Sequence, residues 1–150
     1  MSFPELTNLQ INNYYSGNPK YGGCISKDQV DMLIPGKFYI LNMDRIMGPG
    51  THWVLLYLVN KNKNEAIYFD SFGLPPPQRI SYYCRRFKNR IRNIGQIQDI
   101  KSSSCGWYCL YVADRLLNGD SFADIVETFD TKGTTKGMKN NEEVLKRYFL

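Results

Sequence analysis

The succession of apolar runs predicts an α+β fold: a central sheet of about four to five strands, read from run to run as antiparallel, with helices packed on it. Three observations carry this expectation. Residues 52–59 (HWVLLYLV) are apolar almost throughout, as in a strand buried on both faces. Residues 65–72 (EAIYFDSF) follow across the polar turn 60–64 and read as the return arm of a hairpin. Cys105 to Leu117 has the clearest helical spacing in the chain and is closed by Asn118-Gly119. A chain of 150 residues, 43% of them hydrophobic and 14% aromatic, is enough for one domain with a core, residues 1–150.

The remaining elements follow in order. Residues 1–25 are turn-rich and carry few charges, which predicts an extended arm lying on the folded body, with Gly22-Gly23 as a tight turn. Ser26 and Gln29 have the spacing of a capping box, and Val30, Leu33 and Ile34 continue it as a short helix over 27–33, ended by Pro35-Gly36. Residues 38–43 (FYILNM) read as a strand, followed by a loop at Gly48-Pro49-Gly50. Residues 78–91 read as a basic amphipathic helix with Ile80, Tyr83, Cys84 and Phe87 as its apolar stripe. Residues 94–100 alternate and predict a short strand. Ser121 caps a helix to about Phe129, residues 130–139 read as a flexible loop, and Asn140 with Glu143 caps a last helix.

The net charge of +5 favours an acidic partner without naming one. Four cysteines show no disulfide-framework spacing, and no apolar stretch resembles a signal peptide or reaches membrane-spanning length. The expectation is a soluble intracellular protein, not secreted, with reduced thiols and no membrane partner.

The chemistry centres on Cys105. It follows Ser102-Ser103-Ser104 and opens the helical run, so its thiol stands where unpaired N–H groups and the helix dipole favour thiolate. An ordinary buried cysteine is the alternative reading. His52 is the chain's one histidine and stands at a loop-to-strand junction; it fits a catalytic imidazole or a strand-capping side chain. The hairpin brings Asp70 nearly opposite His52, where a carboxylate would set the tautomer, although an aspartate in D-S-F-G also suits a turn. Gln98 is a candidate oxyanion donor together with the Cys105 N–H, with Gln96 a nearby competitor. Cys109 lies one turn beyond Cys105. With no second cysteine pair, no metal site is expected, and Cys109, Cys24 and Cys84 read as packing.

In combination, G-T-H-W before an apolar strand, then Y-F-D-S-F-G, then Q-x6-C-G-x-Y-C resembles the adenovirus-type cysteine proteases, part of the clan that processes ubiquitin-like proteins. The small size looks most like the proteases of virophages and related large DNA transposons. The resemblance implies a mixed central sheet with the nucleophile at the N-terminus of a buried helix, a papain-like superfold. It makes His52 the general base, Asp70 the orienting acid, Gln98 the oxyanion donor, Cys105 the nucleophile and Trp53 a wall of the site. It implies no cofactor in the chemistry. It implies capsid and other virion precursors as substrates, cut at glycine-containing sites by a monomer at the viral assembly site in the host cell and in the virion. DNA is implied as an activator. The disulfide-linked peptide activator of the adenoviral enzymes is not expected, since no cysteine falls between Cys84 and Cys105.

Other readings stay open. The same four residues would serve an isopeptidase of ubiquitin-like modifiers or an acyltransferase. Arg85, Arg86, Lys88, Arg90 and Arg92, interleaved with Tyr82, Tyr83 and Phe87, would also fit a DNA-binding packaging protein without catalysis, or a solvated helix face.

Overall fold

The computed structural model describes residues 3–44, 51–59 and 63–150. The turn expected at Gly48-Pro49-Gly50 and most of the hairpin tip at 60–64 lie outside these. Five strands form one sheet in sequence order: β1 (Tyr21–Ser26), β2 (Phe38–Asp44), β3 (Thr51–Val59), β4 (Glu65–Phe69) and β5 (Asn89–Arg92). The α+β expectation holds. The antiparallel reading holds for β2–β3 and β3–β4 and fails at both edges, where β1 runs parallel to β2 and β5 to β4. At each edge a helical segment carries the chain back to the strand's starting end, which makes the pair parallel. The first is a 3-10 turn over Lys27–Met32, with the expected Ser26/Gln29 capping box; the second is α2 (Gln78–Cys84).

Strand β3 is apolar from Trp53 onward because the sheet has a core on each face. Leu55 and Tyr57 face α3 (Cys105–Leu117) together with Phe38, Ile67 and Phe69. Val54, Leu56 and Leu58 face Val30, Ile80 and Tyr83 on the other side. No described helix is long and apolar enough to cross a membrane.

Several expectations need correction. Of the expected arm over 1–25, residues 3–25 do lie on the body, with Phe3, Leu6, Ile11 and Tyr15 buried, but they are not an extended arm. They hold α1 (Asn8–Tyr14), closed by a Thr7/Gln10 capping box, and β1. Gly22 and Gly23 sit inside β1, where a Cβ on Gly22 would fall 2.3 Å from the Tyr39 ring. The basic helix stops at Cys84, and its supposed tail is β5, whose N-R-I-R run pairs with Glu65–Tyr68. Residues 94–100 form no strand: the N–H groups of Ile97 and Gln98 both donate to the Ser71 carbonyl, and only Gln96 makes a bridge, to Lys132. The last helix, α5 (Thr135–Phe149), begins inside the expected loop, with Thr134 rather than Asn140 as its cap. Between them, α4 (Phe122–Glu127) has the expected Ser121 cap.

Candidate active site

The β2–β3 and β3–β4 ladders put His52 at one end of β3 and Asp70 just past the end of β4. The two meet, His52 Nε2 lying 2.7 Å from Asp70 Oδ1, with both side chains over nine-tenths buried. The same carboxylate oxygen accepts from the Phe72 N–H at 2.8 Å, and the Phe72 ring stacks on the imidazole at 4.2 Å. Asn93, next after β5, clamps the Asp70 backbone: its Oδ1 accepts from Asp70 N at 3.0 Å and its Nδ2 donates to Asp70 O at 2.7 Å. Asp70 is thus fixed in position by a neighbour the sequence did not suggest.

An ionised Asp70 accepts only, so Nε2 carries the ring proton and Nδ1 presents a lone pair. Nδ1 is buried and has no oxygen or nitrogen partner among the described residues. The Cys105 thiol, like Asp70, interacts with the imidazole. Burial by itself would lower the imidazole's pKa; hydrogen bonding to Asp70 and to Cys105 outweighs it, and the pKa stands above its ordinary value.

Cys105 is the first residue of α3. The loop before it is tied down at each serine. Ser102 Oγ accepts from Ser104 N, Ser103 Oγ donates to Phe3 O, and Ser104 Oγ accepts from Phe3 N while donating to Glu142 of α5. Glu142 also accepts from the Tyr108 hydroxyl, one turn into α3. Cys109 is fully buried and its thiol donates to Trp53 O at 3.4 Å; burial pushes its pKa well above the ordinary thiol range. Burial likewise raises Cys24 and Cys84 to about 11. These three are packing thiols.

Gln98 is fully buried against the loop before Cys105. Its Oε1 accepts from the Ser71 hydroxyl, and its Nε2 donates to Ser102 O at 3.0 Å and Ser102 Oγ at 3.2 Å. Gln96 instead turns its amide onto Gln98 O. Trp53 is buried, with its indole N–H on Leu6 O, and a Cβ on Gly106 would lie 3.3 Å from its ring. Together with Leu6, Thr7, Cys24, Ser26 and Asn42 it lines a cavity of about 610 Å³.

The five basic residues do not form one helix face. Arg85 and Arg86 follow α2 and lie over the Tyr82 and Tyr83 rings, at 5.5 and 4.2 Å. Arg90 and Arg92 are on β5, paired with Ala66 and Tyr68, and with Arg85 they line a separate cavity of about 350 Å³. Lys88 is exposed between the two elements. Sequence reasoning also missed Ser71, Phe72, Asn93 and Glu142. Ser71 and Phe72 stand inside the D-S-F-G string and were open to notice; Asn93 and Glu142 have no motif around them.

The chain is 34% identical over 98 residues to a thiol protease of Acanthamoeba polyphaga mimivirus, an alignment that covers 58% of this chain and 32% of that protein. It is 27% identical over 100 residues to a cysteine protease of African swine fever virus, covering 59% and 37%. The chain spans about a third of the length of these relatives. Two crystal structures of the African swine fever virus protease share the fold. One has a TM-score of 0.63 at 19% identity, covering 94% of this chain and 67% of that one. The other has 0.52 at 22%, covering 72% and 43%. Residues 38–148, which contain His52, Asp70, Gln98 and Cys105, match the Ulp1 protease family, C-terminal catalytic domain, and the chain belongs to that family.

Proposed function

We propose that this chain is a cysteine endopeptidase of the adenovirus-type branch that cuts capsid and other virion precursors at glycine-containing sites. It acts as a single-domain monomer at the viral assembly site and in the virion. The observation that carries the reading is the buried imidazole held between the Asp70 carboxylate and the Cys105 thiol at a helix start. His52 Nδ1 takes the thiol proton, Asp70 stabilises the imidazolium, and the first-turn N–H groups favour the thiolate. The thiolate attacks the scissile carbonyl. The oxyanion is met by the Cys105 N–H and by Gln98, whose longer bond to Ser102 Oγ is the one a substrate oxygen replaces. Imidazolium then protonates the leaving amine, and water hydrolyses the thioester.

Cys105→Ala is expected to abolish cleavage of a glycine-containing virion precursor while thermal unfolding stays cooperative; retained turnover would sink the assignment. Gln98→Ala is expected to lower kcat by about 10²–10³. Family membership also favours a second reading, removal of ubiquitin-like modifiers by the same residues. Preference for modifier–fluorophore conjugates over virion precursors would select it. DNA as an activator would meet Arg85, Arg90 and Arg92, which line one cavity. A salt-dependent gel shift that Arg90→Ala/Arg92→Ala leaves unchanged would count against that surface.

A further inference from the structure

We infer that Ser71 is a positioning residue for Gln98, a role that rests on the oxyanion reading of Gln98 given above. Ser71 directly follows the acid Asp70 and is fully buried. It holds Gln98 at both levels of the chain. Its carbonyl accepts from Ile97 N at 2.9 Å and from Gln98 N at 3.0 Å, and its hydroxyl donates to Gln98 Oε1. On the opposite end of the amide, Nε2 donates to the Ser102 carbonyl. A carbonyl accepts only, so this bond requires the nitrogen there, and the Ser71 hydroxyl holds the oxygen at the other end.

An amide turned over by half a rotation would aim an oxygen, not an N–H, at the developing oxyanion and would repel it. The Ser102 carbonyl bars that inversion, and the Ser71 hydroxyl, which can donate or accept, anchors the amide oxygen at the opposite end and so holds the amide in place. Because Asn93 clamps the Asp70 backbone one residue earlier, the acid and the amide are set from one short stretch. The cost of losing the hydroxyl falls on the charge-developing step, so kcat drops and KM does not.

The test is a double-mutant cycle on the full chain with a glycine-containing peptide substrate, reading kcat and KM for Ser71→Ala, Gln98→Ala and the pair. Ser71→Ala is expected to lower kcat by about 10–100-fold with KM within about twofold, the scale of lost positioning contacts. In the Gln98→Ala background the same change is expected to add nothing. If Gln98→Ala is slow and Ser71→Ala is not, the positioning role is wrong and the oxyanion assignment stands. If Ser71→Ala is equally costly in both backgrounds, it acts elsewhere and the proposal is overturned. If Gln98→Ala keeps nearly full kcat, the oxyanion assignment itself falls, and the proposal with it. Ser71→Cys keeps the volume and weakens the donor; it replaces Ser71→Ala in the cycle if that variant does not fold.

Discussion

His52 meets two opposed demands: burial disfavours its charge, while Asp70 and the thiol favour it, and the partners win. A histidine whose folded pKa is raised contributes stability that is complete below its unfolded value, near 6.5, and is lost as pH rises through the folded value. The stability advantage of the native chain over Asp70→Asn is therefore expected to be largest below about pH 6.5 and to shrink toward alkaline pH. Melting curves across that range check it, and a pH-independent difference would remove the coupling. Asn93→Ala strips two buried hydrogen bonds from the Asp70 backbone and is expected to cost about 2–4 kcal/mol of stability, read by denaturant titration. His52 and Asp70 were legible because hairpin pairing converts their spacing into proximity. Asn93 was not, because it reaches Asp70 only through the parallel pairing of β5, and the sequence around β5 reads as the end of a helix.

Between elements, two glycines let the turn after Asp70 pack against the segment before Gln98. Gly73 closes the turn after Asp70 at φ +75°, and a Cβ there would lie 2.2 Å from the Gly95 carbonyl oxygen. Gly95, at φ +95°, in turn lies under Thr131. Both combine a left-handed backbone with no room, so Gly73→Ala is expected to cost more than about 2 kcal/mol. A shift in denaturation midpoint worth under about 1 kcal/mol would show that these loops separate easily. The packing also explains why 94–100 misread as a strand. Its alternation is real, but its N–H groups go to Ser71 O, and Ile97 O accepts from the buried Asn141 of α5. Likewise 78–92 carries one apolar stripe, since Ile80, Tyr83, Cys84 and Phe87 share one core, yet the chain leaves the helix after Cys84. Burial pattern alone does not reveal that change of direction.

At the scale of the molecule, the N-terminal segment packs against the loop before Cys105. Phe3 is held through both its N–H and its carbonyl by the two serines before Cys105, Pro4 O accepts from Trp107, and Leu6 O accepts from Trp53. Removal of residues 1–6 is expected to lower the melting temperature and to reduce turnover at least tenfold. A truncated chain that melts lower but keeps full kcat would confine the segment to a stabilising role. Composition suggested that this stretch lies on the body. What it holds was not legible, because the bonds run through backbone atoms that every sequence shares. Their span has a consequence in time. The hairpin that joins His52 to Asp70 closes over 18 residues, but Phe3 waits for Ser104, 101 residues on, and Ser104 waits for Glu142 near the chain's other end. Synthesis thus delivers His52 and Asp70 early and Glu142 later, so a nascent chain on the ribosome carries its histidine and its cysteine before the loop that holds Cys105 is fastened.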